Sequence, residues 1–166
     1  MIRFMEVNDV SRVAEIQIFA WRTSERGIFS DEYLFKQMTV DKRMEYFNNM
    51  LRSSSDENYV FDDGIVKAFI TMCPCSDEDI LASLQLSSIY VDPCFQRQGI
   101  GALLINYFEK IARQRGYEEV ILWVLEKNQA AIDFYRKNGY SPDGKSSTGG
   151  LGTTEVRYRK KLLAAH

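Results

Sequence analysis

The stretch Gln96-Arg97-Gln98-Gly99-Ile100-Gly101-Ala102 decides the fold, because it joins a predicted strand to a predicted helix. Gly99 and Gly101 carry no side chain that would keep a ligand away from the backbone, so amide groups of this turn can face an anion. The dipole of the following helix adds about half a positive charge at the same place. Arg97 adds a full positive charge. The turn therefore predicts a binding site for a pyrophosphate group.

Other phosphate-binding motifs are not expected here. A dinucleotide-binding Gly-x-Gly-x-x-Gly fingerprint would need a third glycine where this chain has Leu104. We also expect no P-loop, because we expect no match to its spacing, which places Gly-Lys-Ser/Thr after a glycine and four intervening residues. On spacing alone, a purely structural turn with two glycines is an equal alternative, but the strand before the turn and the regular helix after it favour the phosphate interpretation.

The residues after the turn predict the clearest helix of the chain, over about residues 99–115. Its apolar side chains recur at the spacing i, i+3, i+4, i+7, and they are Ile100, Leu103, Leu104, Tyr107, Phe108, Ile111 and Ala112. Gly116 predicts its end. The unbroken apolar run over residues 120–125 then predicts a strand that is covered on both faces. Strand, helix and strand in this order predict two parallel strands joined by a right-handed crossover.

The strand that enters the turn changes its buried face along its length. Leu84 and Leu86 share one face, whereas the next apolar pair, Ile89 and Val91, lies at the other parity. One extra residue near Ser87-Ser88 would produce this change, so we expect a β-bulge there. A strand buried on both faces is the alternative.

The rest of the chain predicts short elements of both kinds. Helical patterns cover residues 8–22 and 30–52, the second opened by Ser30-Asp31-Glu32, and Asn128 is expected to cap another helix that ends at Gly139. Strands are expected at residues 2–5, 81–91 and 153–161, with a hairpin around Asp63-Gly64 whose second arm ends near residue 72. Residues 143–152 predict a polar, glycine-rich loop. The sequence thus predicts a mixed α/β fold.

Length and charge limit the classes of function. The 166 residues are enough for one domain, residues 1–166, with one core. The formal net charge of -2 does not favour nucleic acid or a membrane surface. No apolar run approaches the roughly 20 residues that a membrane span needs, and the start of the chain lacks a long apolar signal region. We therefore expect a single cytoplasmic domain with no nucleic-acid or membrane partner.

The cysteines and the one histidine exclude several kinds of chemistry. Cys73 and Cys75 are too close in sequence to pair within a strand, and no second cluster completes a zinc site. We therefore expect free thiols at Cys73, Cys75 and Cys94, in a reducing compartment, and no metal. The histidine is the last residue, His166, which argues against Ser-His-Asp, Cys-His and histidine–metal mechanisms.

Two blocks of the sequence resemble the GNAT superfamily of N-acetyltransferases. Residues 96–101 match its signature, Gln/Arg-x-x-Gly-x-Gly/Ala, between a strand and a helix, and Ile89-Tyr90-Val91-Asp92-Pro93 resembles the family's entry to that loop. Residues 128–140 are similar to the family's Asn-x-x-Ala-x-x-Phe-Tyr-x-x-x-Gly-Phe/Tyr. The resemblance covers residues 84–141, and a weaker likeness to bacterial members lies within residues 21–34.

This resemblance implies a central, mixed and mostly antiparallel twisted sheet flanked by helices, with a parallel strand pair that splays apart at a cofactor cleft. It implies acetyl-CoA as the co-substrate, with its pyrophosphate on the turn and its pantetheine arm paired with the main chain of residues 89–91. The cofactor-binding residues that it implies are Ile89, Tyr90, Val91, Gln96, Arg97, Gln98, Gly99, Ile100, Gly101, Ala102, Asn128, Ala131 and Phe134.

The resemblance also gives Tyr135 the role of the general acid that protonates the departing thiolate. The alternative is that Tyr135 only packs its ring beside Phe134. The general base is left open, because Gln85 and two serines stand where many relatives carry a glutamate, and Glu126 or water are the alternatives. We expect Cys94 to be a bystander, since the sequence offers no histidine that would activate it as a nucleophile.

The sequence therefore predicts an enzyme that acetylates a primary amine by direct attack in a ternary complex. The acceptor is expected to be a small molecule or the amino group of a peptide or protein. A catalytically weak acyl-CoA sensor is the alternative, and a homodimer is left open. Candidate residues of the acceptor wall are Trp21, Phe29, Tyr33 and Phe35, for which core packing is the alternative.

Overall fold

The computed structural model describes residues 1–53, 55–80 and 82–162, so that His166 lies outside the described residues. The strands are β1 (Ile2–Phe4), β2 (Glu57–Asp62), β3 (Val66–Pro74), β4 (Leu84–Val91), β5 (Glu119–Leu125), β6 (Ser141–Thr148) and β7 (Thr154–Lys161). The α-helices are α1 (Val10–Ser24), α2 (Val40–Ser53), α3 (Ile100–Gln114) and α4 (Gln129–Lys137).

The strands form one mixed sheet in the order β1-β2-β3-β4-β5-β7-β6. The pairs β1–β2, β5–β7 and β6–β7 are antiparallel, whereas β4 and β5 are parallel. Because α3 lies between β4 and β5 in the sequence, the chain returns to the starting edge before β5 begins, which makes the two strands parallel. The predicted fold class is confirmed.

The chain forms two compact units, which are described separately. The first comprises Met1–Thr71 and Ser88–Leu104, and the second comprises Met72–Ser87 and the described residues from Ile105 onward. In the first unit, one face of α1 and one face of α2 pack on β2 and β3. The buried residues of this cluster are Met5, Val10, Val13, Ala14, Ile16, Phe47, Met50, Val60, Val66 and Phe69.

The hairpin between β2 and β3 has the predicted turn. Gly64 has a φ of 106°, in the left-handed region that glycine tolerates best. Its amide donates a 2.9 Å hydrogen bond to Asp62 Oδ1, which closes the turn. The second arm runs two residues further than predicted, to Pro74.

The helical region predicted over residues 30–52 is present, but it consists of two segments with a break between them rather than one continuous helix. Ser30 caps the first, as predicted, by accepting a 3.2 Å hydrogen bond from the Tyr33 amide. The backbone then becomes extended at Met38, with φ -88° and ψ 97°. Thr39 accepts a 3.4 Å hydrogen bond from the Lys42 amide at the start of α2. A threonine hydroxyl caps a new helix more readily than it continues an old one, which explains the break.

The second unit confirms the predicted strand, helix and strand. Leu84 to Leu86 of β4 lie opposite Val120 to Leu122 of β5 in parallel register. The helix α3 ends as predicted, since Gly116 has a φ of 79° and the Tyr117 amide donates a 3.0 Å bond back to the Ala112 carbonyl. The bulge expected near Ser87-Ser88 stays a prediction.

The predicted loop over residues 143–152 is wrong for most of its length, because residues up to Thr148 belong to β6. This strand lies at the edge of the sheet and its side chains are mostly exposed, so its sequence lacks the alternation that marks a half-buried strand. Its pairing with β7 shifts between Pro142 and Ser146. The connecting turn is limited to residues 149–153.

The expectation that no P-loop spacing occurs is also wrong, because Gly139 and Gly144-Lys145-Ser146 reproduce that spacing. A P-loop leads from a strand into a helix, whose N-terminus binds the phosphate. Here the order is reversed, since Gly139 follows α4 and the Gly-Lys-Ser segment lies within β6. The spacing therefore has no phosphate-binding geometry.

One buried guanidinium holds three segments of the second unit together. Arg157 of β7 is 2% exposed. It donates to Asp143 Oδ2 of β6 at 2.7 Å, to Asp77 Oδ2 at 2.8 Å, and to both carboxylate oxygens of Asp79 at 2.7 and 2.9 Å. The Trp123 indole donates to the same Asp77 oxygen at 3.2 Å. The segment after β3 is thereby fixed to β5, β6 and β7.

We expect Arg157→Met to lower the free energy of unfolding by about 3–5 kcal/mol, because it leaves the buried Asp143 carboxylate without its cation. The matched control is Arg159→Met on the same strand. Arg159 pairs with Glu119 near the surface, and the loss of this ion pair should lower the free energy of unfolding by less than about 1 kcal/mol. Urea unfolding of both variants measures the difference, and equal losses would contradict the central role of Arg157.

Candidate functional site

The turn predicted to bind an anion begins with a capped bend at the end of β4. Asp92 Oδ1 accepts a 2.8 Å hydrogen bond from the Cys94 amide, and Pro93 occupies the first position of the short helical turn Pro93–Phe95. Gln96 then folds back, because its side-chain amide donates to the Val91 carbonyl at 3.3 Å. The chain thus leaves the strand in one defined direction.

The same aspartate is tied to two other elements of the first unit. Arg12 of α1 donates to Asp92 Oδ2 and, through Nε, to the Val66 carbonyl at 3.1 Å. The Asp92 amide donates to the Lys67 carbonyl at 2.9 Å. Burial alone would raise the pKa of Asp92. Hydrogen bonds from the Cys94 amide and from Arg12 nevertheless hold this pKa below its ordinary value. Asp92 is therefore a charged anchor at neutral pH, a role that the sequence analysis missed.

The backbone of the turn is left-handed at two positions. Arg97 has a φ of 63° and Gly99 a φ of 83°, and α3 starts at Ile100. No atom lies within 4 Å of the place where a Cβ of Gly99 would stand. The first amides of a helix have no acceptor within the helix, so those of α3 are available to a ligand. Open space beside the positive end of a helix suits a phosphate group.

The predicted cofactor-binding residues of this turn differ in exposure. Gln96, Arg97, Gln98 and Gly99 are exposed, Gly101 and Ala102 are half-buried, and Ile100 is buried. Ile100 thus anchors the start of α3, whereas the exposed side chain of Arg97 can approach an anion. On the strand before the turn, Ile89, Tyr90 and Val91 are half-buried.

The Tyr90 side chain is turned into the core of the first unit. Its ring packs on Phe69, with centroids 5.4 Å apart, and its hydroxyl accepts a 2.7 Å hydrogen bond from Trp21 Nε1. Burial raises the pKa of Tyr90 to about 12. The side chain of Tyr90 is therefore engaged in the core, and the cofactor contact expected of its main chain stays a prediction.

Three of the four predicted acceptor-wall residues form a ring cluster at the end of α1. Trp21 and Phe29 stack with centroids 5.7 Å apart and planes 4° apart, and Tyr33 lies 5.3 Å from Phe29. All three rings are half-buried. Phe35 is 47% exposed and lies instead under the Arg22 guanidinium. The cluster offers a partly accessible aromatic surface.

In the second unit, Asn128 caps α4 as predicted, since its Oδ1 accepts a 3.1 Å hydrogen bond from the Ala131 amide. Tyr135 is buried, and its ring meets Phe134 edge-on at 5.4 Å and Tyr140 at 6.0 Å. The packing that the alternative interpretation of Tyr135 requires is therefore present. Its role as a general acid stays a prediction.

The positions of Gln85 and Glu126 do not distinguish between the alternatives for the general base. Gln85 is half-buried and lies opposite Ile121 of β5. Glu126 is exposed, and its amide donates to the Thr154 carbonyl at 2.9 Å. Neither position identifies a base.

Cysteine and metal chemistry gain no support from the described residues. Cys94 is exposed at the turn, whereas burial raises the pKa of the Cys75 thiol. Across residues 1–53, 55–80 and 82–162, no group of three or more His, Cys, Asp or Glu side chains could hold a metal ion. None of the described helices has the length and apolar character of a membrane span.

Known proteins resemble this chain in sequence and fold. The sequence profile of the acetyltransferase (GNAT) family matches residues 11–140. A spermidine N(1)-acetyltransferase of Thermoplasma acidophilum is 27% identical over 144 residues, 84% of this chain and 86% of the relative. A probable N-acetyltransferase of Mycobacterium tuberculosis is 29% identical over 166 residues, 95% of this chain and 91% of the relative.

A crystal structure of the PaiA N-acetyltransferase from Thermoplasma acidophilum, in complex with coenzyme A, shares the fold. Its TM-score is 0.73 at 22% identity, over 98% of each chain. The prediction of an N-acetyltransferase is confirmed by the family match and by these relatives. The chain therefore belongs to the GNAT family of acetyltransferases and is an N-acetyltransferase.

Proposed function

We propose that the protein transfers the acetyl group of acetyl-CoA to a primary amine, which attacks the thioester directly in a ternary complex. The observation that carries this proposal is the turn at Gly99, where a left-handed backbone and open space adjoin the N-terminus of α3. A pyrophosphate is the part of acetyl-CoA that this arrangement suits.

The proposed cofactor contacts divide between backbone and side chains. The amides around Gly99 and Gly101 bind the pyrophosphate, and the Arg97 side chain adds a positive charge. The main chain of residues 89–91 pairs with the pantetheine arm. On α4, the proposed contacts come from Asn128, Ala131 and Phe134, of which Ala131 and Phe134 are half-buried.

The proposed acceptor is the primary amine of a small molecule or of a peptide. The Thermoplasma relative is named for spermidine, which is such an amine. The rings of Trp21, Phe29 and Tyr33 suit an alkylamine, because aromatic faces attract cationic groups and also pack against the attached carbon chain.

The proposed chemistry needs few side chains. The neutral amine forms a bond to the carbonyl carbon, an oxyanion develops beside a backbone amide of β4, and the bond to sulfur then breaks. Tyr135 gives its hydroxyl proton to the departing thiolate, whose conjugate thiol has a pKa of about 8.5 by analogy with cysteine. We propose that the amine loses its proton to water.

Two other tyrosines, Tyr90 near the turn and Tyr140 beside Tyr135, have raised pKa values. Burial raises the pKa of Tyr90 to about 12. Burial, with the nearby Glu109 carboxylate as a second cause, raises the pKa of Tyr140 far above its ordinary value. Both hydroxyls therefore hold their protons tightly, and we propose neither as the acid.

The first prediction for this function is that Gly101→Val abolishes acetyl-CoA binding while the protein stays folded, because a branched side chain would occupy the place of the pyrophosphate. Gly99→Val should have the same effect on binding, but its φ of 83° adds backbone strain of about 1–2 kcal/mol. Gly101 lies within α3 and gives the cleaner test.

Calorimetric titration with acetyl-CoA measures the effect of Gly101→Val. The matched control is Leu103→Val, which also introduces a valine into α3, but at an exposed position. Unchanged affinity in a folded Gly101→Val protein would contradict the pyrophosphate turn.

Tyr135→Phe should lower kcat by about 10²–10⁴-fold and leave acetyl-CoA affinity nearly unchanged, because it removes the acidic proton and keeps the packed ring. Single-turnover kinetics measure the chemical step apart from product release. Tyr46→Phe, at an exposed tyrosine of α2, is the control. A wild-type single-turnover rate for Tyr135→Phe would show that Tyr135 is a packing residue only.

Cys94→Ala should keep wild-type turnover, and so should the enzyme in the presence of a metal chelator, since the proposed attack is direct and needs no metal. Steady-state acetylation assays with a panel of amines check both. Loss of most turnover in Cys94→Ala, with acetyl-CoA affinity intact, would instead support a covalent acetyl intermediate on that thiol.

A further inference from the structure

A lysine of β7 fastens the C-terminal end of α4. Lys160 Nζ donates a 2.9 Å hydrogen bond to the Asn138 carbonyl, at the end of this helix. It also donates to Glu109 Oε1 of α3 at 2.7 Å. Two effects favour a cation at this place. The last carbonyls of a helix lack partners within the helix, and they carry the negative end of its dipole.

The bonds continue from Asn138 to Tyr135. The Asn138 amide donates to the Tyr135 carbonyl at 3.0 Å, and the amide of Tyr140 donates to the same carbonyl at 3.1 Å. The Asn138 side chain donates to the Phe134 carbonyl at 2.8 Å. The main chain of Tyr135 is therefore fixed by residues that Lys160 itself holds.

The lysine side chain passes close to Gly139. A Cβ at this position would lie 3.3 Å from Lys160 Cε, closer than an ordinary contact. Lys160 Nζ then lies 5.6 Å from the centroid of the Tyr140 ring, which in turn packs edge-on against Tyr135. Lys160 thus supports Tyr135 through the main chain and through a neighbouring ring.

We infer that Lys160, paired with Glu109, is a positioning residue that sets the place of the Tyr135 hydroxyl during acetyl transfer. This inference rests on the proposed role of Tyr135 as general acid. A displacement of about 1 Å in a reacting group can cost up to about 10²-fold in rate, so a loose end of α4 should be visible in the kinetics.

The variant must remove both charges. Glu109 is buried, with its side chain 4% exposed, and its other cation is Arg113 at 3.2 Å. Removing Lys160 alone would leave a poorly compensated buried carboxylate and risk unfolding. Replacing both partners with apolar residues of similar size is often neutral for stability. The test variant is therefore Lys160→Met with Glu109→Met.

We expect this double variant to slow single-turnover acetyl transfer by about 10- to 10²-fold while the dissociation constant of acetyl-CoA and the urea midpoint change little. The matched control is Arg159→Met with Glu119→Met. That ion pair also joins β7 to a neighbouring element, but it lies at the edge of β5 and bonds no atom of α4 among the described hydrogen bonds.

A double-mutant cycle with Tyr135→Phe separates positioning from general support. If Lys160 and Glu109 act through the Tyr135 hydroxyl, removing them should cause no further slowing once Tyr135→Phe is present. Equal slowing in both backgrounds would overturn the inference, and so would a wild-type rate for the Lys160/Glu109 variant. A wild-type rate for Tyr135→Phe alone would overturn both this inference and the acid role itself.

Discussion

The buried Asp92 carboxylate at the end of β4 determines how the chain enters the turn that we propose binds the pyrophosphate. Asp92 accepts the Cys94 amide and the Arg12 guanidinium, so its charge is compensated from its own turn and from α1 at once. A buried carboxylate is tolerated only when it is paired and hydrogen-bonded. The helix α3 begins at Ile100, at the end of this turn. The bonds of Asp92 therefore also help to set where the positive end of the α3 dipole lies. The proposed cofactor binding at this turn thus depends on an ion pair that itself need not touch the cofactor.

Binding through the backbone leaves a clear mark in a sequence, whereas acceptor recognition does not. A left-handed residue beside a close ligand calls for glycine, and Gly99 has both that conformation and open space beside it. In our proposal, acceptor specificity depends instead on the side chains around Trp21 and Phe29, which could be replaced by other apolar residues without a change of fold. Sequence reasoning therefore reached the class of reaction and could not reach the acceptor.

Elements with regular apolar spacing were predicted well, and elements without it were not. The helix after the turn shows a regular helical period because it buries one stripe, and the strand Glu119–Leu125 shows an unbroken apolar run because both of its faces are covered. The break at Thr39 was missed because one hydroxyl bond decides it. The strand β6 was missed because its exposed edge position imposes no alternation. Lys160 and Glu109 lie 51 residues apart, and no local pattern marks two charges that meet only in the folded chain.

The helix α4 is held at one end by a contact that the sequence reveals and at the other by a contact that only the structure reveals. With nine residues, Gln129–Lys137, it is too short to be stable alone, so its position depends on bonds at its ends and on packing. Asn128 supplies the N-terminal bond, and the capping pattern reveals it from the sequence. Lys160 supplies the C-terminal bond, and only the structure reveals it. Tyr135 lies in the half of the helix that Lys160 holds. The accuracy with which its hydroxyl is placed therefore depends on the contact that the sequence does not show.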